Sequence, residues 1–168
     1  MEENKQRKRI RIQANNCYND GIFFLTICTK ERRCFLSRIH ECENGLYNTE
    51  LLPYGAVVEK YITQFNKFYD HISIENYVIM PNHIHIIIYV KNEKIQIDKR
   101  PGLTKQNNSV SSFISTLKRF INKEIGFNIW QRGSYDHIIR NGIDFDEHMR
   151  YMYENPRNWY FDDLYSEE

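Results

Sequence analysis

A chain of 168 residues with 41% hydrophobic and 14% aromatic side chains reads as one packed globular domain of ordinary size, not a disordered polymer. No apolar run approaches the ~18 residues of a membrane span, and no secretory leader pattern opens the chain. The formal net charge of +1 hides an uneven distribution. Residues 91–140 carry ten Lys/Arg against four Asp/Glu, a balance of +6, and residues 141–168 carry two against eight, a balance of −6. Lys5, Arg7, Lys8, Arg9 and Arg11 form a basic arm within residues 1–20. Such patches suit a polyanionic partner, although a merely solvated basic surface has the same composition. Cys17, Cys28, Cys34 and Cys42 lack paired C-x-x-C spacing, which argues against a zinc knuckle. A cytoplasmic protein with reduced thiols is expected.

In chain order, residues 21–29 are β-branched and aromatic and predict a first strand. Asn44-Gly45 predicts the turn of a small hairpin near residues 39–49. From Pro53, the recurrence of Tyr54, Val57, Val58, Tyr61, Ile62, Phe65 and Phe68 predicts a helix with proline in its first turn. Residues 72–80 predict a second strand, and Pro81-Asn82 turns into a third that begins at His83. The polar stretch 91–109, with Pro101-Gly102, predicts a loop. Ser109 is expected to cap a helix striped with Val110, Phe113, Ile114, Leu117, Phe120, Ile121 and Ile125, ended by Gly126. Residues 128–140 read as extended, with a bend at Gly133. A last helix is expected from a cap at Asp144, paired with Glu147, to Asn155 before Pro156. Its core stripe is Phe145, Met149 and Met152, with Tyr153 beside it. The order β-α-β-β-α-β plus a helix predicts an α+β fold: a ferredoxin-like split β-α-β antiparallel sheet with an added C-terminal helix.

Chemistry concentrates at two places. His83-Ile84-His85 opens a strand-like apolar run, and residues two apart on a strand share a face with Cβ atoms roughly 7 Å apart. Imidazoles so placed can converge on one cation, backed by a rigid wall. On the last helix Tyr151 and Asn155 are one turn apart and therefore neighbours. A tyrosine can be a nucleophile and an amide oxygen a metal ligand, while an ordinary interfacial tyrosine is the alternative. Tyr153 is the rival nucleophile, but its i+4 position is Arg157, beyond the proline.

These motifs resemble a known family. Pro81-Asn82-His83-Ile84-His85 matches the His-hydrophobic-His signature of single-tyrosine HUH transposases. Ile129-Trp130-Gln131-Arg132, Tyr135-Asp136-His137-Ile138-Ile139-Arg140 and Tyr151-Met152-Tyr153-Glu154-Asn155-Pro156 look like the REP-associated tyrosine transposase branch, over about residues 21–159. The resemblance implies a divalent metal, Mg2+ or Mn2+, held by His83, His85 and Asn155. It also implies single-stranded or hairpin DNA as substrate and Tyr151 as the residue that becomes a 5′-phosphotyrosine. Its members occur as monomers and as homodimers. For DNA contact the residues favour Lys118 and Arg119, with Arg132 and Arg140, and Trp130 and Tyr135 for base stacking. The alternative makes Trp130 a core residue and the cations a solvated face. His40 and His148 read as surface residues, although His148 lies one turn before Tyr151 and could tune it, and His137 has no role that its position explains.

Other readings fit less well. A catalytically silent DNA-binding regulator on the same fold is opposed by the intact His83, His85 and Tyr151. A phosphoesterase with two His-x-Ser/Thr motifs has one candidate, His71-Ile72-Ser73, and no second. A zinc hydrolase lacks any His-Glu-x-x-His helix.

Overall fold

Side-chain alternation along two central strands divides the molecule into two apolar layers, one on each face of a single antiparallel sheet. The computed structural model describes residues 21–42, 45–67, 71–91 and 109–167. The basic arm, Phe68 and nearly all of the polar loop lie outside the described residues. The sheet strands are β1 (Gly21–Cys28), β4 (Ile72–Ile79), β5 (His83–Val90) and β6 (Tyr135–Ile139), in the order β4-β5-β1-β6. Every neighbouring pair is antiparallel. Helix α1 (Pro53–Phe65) connects β1 to β4, and α2 (Ser109–Ile125) connects β5 to β6. This is the ferredoxin-like arrangement, and it makes the histidine strand an inner one. Helix α3 (Gly142–Glu154) follows β6.

Phe23, Leu25 and Ile27 of β1 and Ile84, Ile86 and Ile88 of β5 pack with Val58 and Ile62 of α1 and Phe113, Leu117 and Ile121 of α2. The opposite face carries Phe24 and Ile87, which pack with Ile139 of β6 and Met152 of α3. Phe145 and Met149 join this second layer as the helical stripe predicts. Because β5 is covered on both sides, it is apolar at nearly every position rather than alternating. On the edge strand β4 a bulge between Ile74 and Asn76 interrupts the register. It lets Ile74 and Tyr77, three apart, share a face.

The small hairpin is β2 (Ser37–Glu41) with β3 (Tyr47–Leu51), and Gly45 takes φ 74 in its turn. Its position is fixed by close backbone contact. Leu36 O accepts from Leu52 N at 2.9 Å, and a Cβ built on Gly55 would lie 1.9 Å from the same oxygen. Alanine normally stabilises a helix interior over glycine by ~1 kcal/mol. Here the clash with backbone reverses the sign, and Gly55→Ala is expected to destabilise by about 1–3 kcal/mol, read as a lowered urea midpoint.

Two expectations for α3 need correcting. The N-cap is Asn141, not Asp144: Asn141 Oδ1 accepts from Asp144 N at 3.0 Å. Asp144 instead lies in the first turn, where its carboxylate takes the Arg140 N–H at 2.9 Å. Tyr153 is not beside the core stripe but 84% exposed. Helix α2 begins at Ser109, the residue expected to precede it.

Candidate active site

Antiparallel pairing sets the site row by row. Thr26 stands opposite His85 on one side and Tyr135 on the other, and Cys28 stands opposite His83. Directly opposed residues share a face, so His83, His85, Thr26 and Tyr135 all lie on the α3 side. Both imidazoles are buried, and their Nε2 atoms are 3.0 Å apart.

The far ring nitrogens are held. Asn82 Nδ2 donates to Leu164 O at 2.7 Å and to Ser166 Oγ at 2.9 Å, so its Oδ1 is the end that meets His83 Nδ1, at 2.7 Å. His83 therefore carries its proton on Nδ1 and a lone pair on Nε2. His85 Nδ1 meets Thr26 Oγ1 at 2.9 Å. A hydroxyl can donate or accept, so His85 can present either a proton or a lone pair toward His83.

At the end of α3, the C-cap residue Asn155 is buried and Tyr151 is 42% exposed. The Tyr151 ring lies 5.2 Å from that of His85. Phe24 stacks on His85 at 4.9 Å and meets Tyr151 edge-on at 6.1 Å, forming an apolar floor. Asp162, just past the 3-10 turn Trp159–Phe161, closes the site. Its Oδ2 accepts from Asn155 Nδ2 at 2.7 Å and from the Tyr151 hydroxyl at 3.3 Å. Asn155 Oδ1 is buried without a hydrogen-bond partner.

Burial pushes His83 down to about 4, against the pull of the Asp162 carboxylate and the Asn155 amide. His85 is lowered by burial and then by its neighbours His83 and His148. Both rings are thus neutral at pH 7. Since an unfolded histidine titrates near ~6.5, the unfolded chain binds more protons between that value and about 4. Stability should fall as pH drops through this window, and a urea midpoint at pH 5 should lie below that at pH 7. A flat or rising midpoint would contradict it. Tyr151 moves the other way, raised to about 12 by burial and then by Asp162.

The donor set fits a divalent cation. Two imidazole nitrogens face each other, their far nitrogens are fixed from outside, and a buried amide oxygen lacks a partner. Asp162 stands with the two histidines, its carboxylate and their ring nitrogens lying within 4.8 Å of one another. It was not singled out from the sequence. Neither were Thr26 and Phe24, which are plain strand residues in the one-dimensional pattern.

The other selected residues fall into two groups. Arg119, Arg132, Tyr135 and Arg140 are exposed. Trp130 is 2% exposed and sits in the core, as the alternative reading had it. The Lys118 ammonium donates to Gln131 O at 2.9 Å and Gly133 O at 2.6 Å, which ties α2 to the segment before β6. Its burial lowers it to about 8. His40 pairs with Glu50 on the hairpin. His148 is not a surface residue: it packs on Phe24 and stacks on His137 at 4.6 Å. Both histidines reach Asp144, joining β6 to the start of α3. Ring nitrogens of both approach Asp144 Oδ1, at 3.0 and 3.1 Å, with the two rings 17° from parallel.

Comparison with known structures agrees with the ferredoxin-like class of this architecture. In particular, the chain has the fold of the REP-associated tyrosine transposase solved bound to a REP hairpin. The two superpose with a TM-score of 0.60 over 94% of this chain and 74% of that one, at 22% identity. The resemblance read from the motifs therefore holds at the level of fold. An uncharacterized protein of Haemophilus influenzae strain Rd is 29% identical over 173 residues, covering 95% of this chain and 93% of the relative. No family model matches the chain. No helix among the described residues is long and apolar enough to cross a membrane.

Proposed function

We propose that the chain is a metal-dependent endonuclease and strand transferase of the REP-associated tyrosine transposase kind, acting on single-stranded or hairpin DNA. One observation carries this reading. Tyr151 in the last turn of α3 and Asn155 at its C-cap share Asp162 Oδ2 while facing the His83–His85 pair of the same chain. His83, His85 and Asn155 would hold the cation, and two imidazoles with an amide suit Mn2+ or Mg2+.

A phosphodiester resists attack because its anionic oxygens repel a nucleophile. At about 12, the Tyr151 phenol is almost wholly protonated at pH 7 and needs nearby positive charge to ionise. Held by His83, His85 and Asn155, a divalent cation would supply that positive charge and offset the charge that develops on the phosphate. The chain's own residues do the rest. Asp162 holds the phenol at 3.3 Å and so fixes its approach, while Phe24 keeps water from beneath the site. Attack forms the Tyr151 O–P bond and breaks the bond from phosphorus to the 3′-oxygen, which takes up a proton. The phenolic proton leaves to solvent on the Asp162 side. The phosphotyrosine linkage conserves the ester, so another 3′-hydroxyl can reverse the step without ATP. Tyr135 lies two strands from His85, roughly 10 Å away, and can stack an unpaired base beside the scissile phosphate. Exposed Arg132 and Arg140 supply phosphate contacts at that edge.

Incubation with labelled single-stranded hairpins and Mn2+ should give a denaturation-resistant protein–DNA adduct that a chelator abolishes. Hairpin binding with no adduct under any divalent cation would instead establish a silent regulator.

A further inference from the structure

The hydrogen bonds around the site form a chain that crosses the molecule. His83 Nδ1 meets Asn82 Oδ1, and Asn82 Nδ2 donates to Leu164 O. Leu164 N donates to Asp162 Oδ1 at 2.7 Å, and Asp162 Oδ2 takes the Asn155 amide N–H. Thus the segment after α3 ties the histidine strand to the tyrosine helix. It is anchored independently by buried Trp159, 6.0 Å ring to ring from His83, and by Arg32 donating to Asp163 O at 3.2 Å.

An amide has two ends of similar shape, and only its oxygen can ligate a cation. With Nδ2 committed to Asp162, the end of Asn155 left without a partner is the oxygen. We propose that Asp162 is a positioning residue: it fixes the Asn155 amide so that the oxygen, not the nitrogen, is offered to the cation. This rests on the function proposed above and assigns the C-terminal segment a part in it. Direct ligation by Asp162 is the competing role. Both of its oxygens already accept hydrogen bonds, Oδ1 from Leu164 and Oδ2 from Asn155 and Tyr151. With Oδ2 taking two bonds and Oδ1 one, a ligand role would fall to the remaining lone pair of Oδ1, and the test below separates the two roles.

The test is Mn2+ affinity of the full chain without DNA, read from the electron paramagnetic resonance signal of free Mn2+. Thermal midpoints are measured in parallel. Asp162→Ala is expected to weaken uptake about 10–100-fold, the usual effect of losing an outer partner of a ligand. Asp162→Ser replaces it, with the same expectation, if the alanine variant is unstable. Asn155→Ala should cost a similar factor. In the Asn155→Ala background, removing Asp162 should cost less than about threefold, because a residue acting through another loses its effect when that other is gone. Native affinity in Asp162→Ala overturns the proposal, as does a further tenfold loss in the double variant, which would make Asp162 a ligand. His83→Ala separates the two claims. If it abolishes uptake while Asp162→Ala does not, the cation site stands and only the positioning role falls. A native chain that takes up no Mn2+ overturns both.

Discussion

Tyr151→Phe is expected to abolish the covalent protein–DNA adduct, a loss of about 10³-fold or more, because no other group replaces a missing nucleophile at the same phosphorus. The fold should barely notice. The hydroxyl makes one long hydrogen bond, 3.3 Å to Asp162, whose net worth is about 1 kcal/mol at most. Tyr153→Phe should retain the adduct. Tyr153 is 84% exposed, whereas the Tyr151 ring sits 5.2 Å from His85. Adduct lost in Tyr153→Phe and kept in Tyr151→Phe would reverse the assignment.

The second large effect belongs to the imidazoles. His85→Ala should lower cleavage about 10³-fold or more and remove Mn2+ uptake, while hairpin affinity changes no more than about threefold, since the phosphate contacts proposed for Arg132 and Arg140 lie elsewhere. His85 is the cleaner choice. Its Nδ1 partner is the Thr26 hydroxyl, which can turn to another acceptor. His83→Ala would also leave the buried Asn82 Oδ1 unpaired, at a cost of about 1–3 kcal/mol. It is therefore expected to lower the melting temperature as well. A matched loss of binding and cleavage in His85→Ala would make the residue a structural or recognition element instead.

The fold was legible because its signals are periodic. The period-2 strands, the stripe of α2 and the Gly45 turn each dictate local structure, and their order admits few topologies. The histidine pair was equally legible, since a strand fixes which residues share a face. Where two residues compete for one local job, the pattern does not choose. Asn141 and Asp144 are both good caps, and the helix starts early enough to use Asn141 as cap and Asp144 within its first turn. Lys118 and Trp130 show a second limit. A cation and an aromatic in a basic region read as DNA contacts, yet one satisfies two carbonyls and the other fills the core. Asp162 marks a third. It reaches the site because the segment after α3 folds back to Asn82, a contact spanning some eighty residues that no local spacing encodes.

The most direct test of the account is mass spectrometry of the adduct after trypsin and nuclease digestion. Cleavage after Arg150 and Arg157 releases a peptide holding both Tyr151 and Tyr153. Fragmentation should place the nucleotide, through a 5′-phosphate, on Tyr151. Nucleotide on Tyr153 or on any other residue would contradict the central claim.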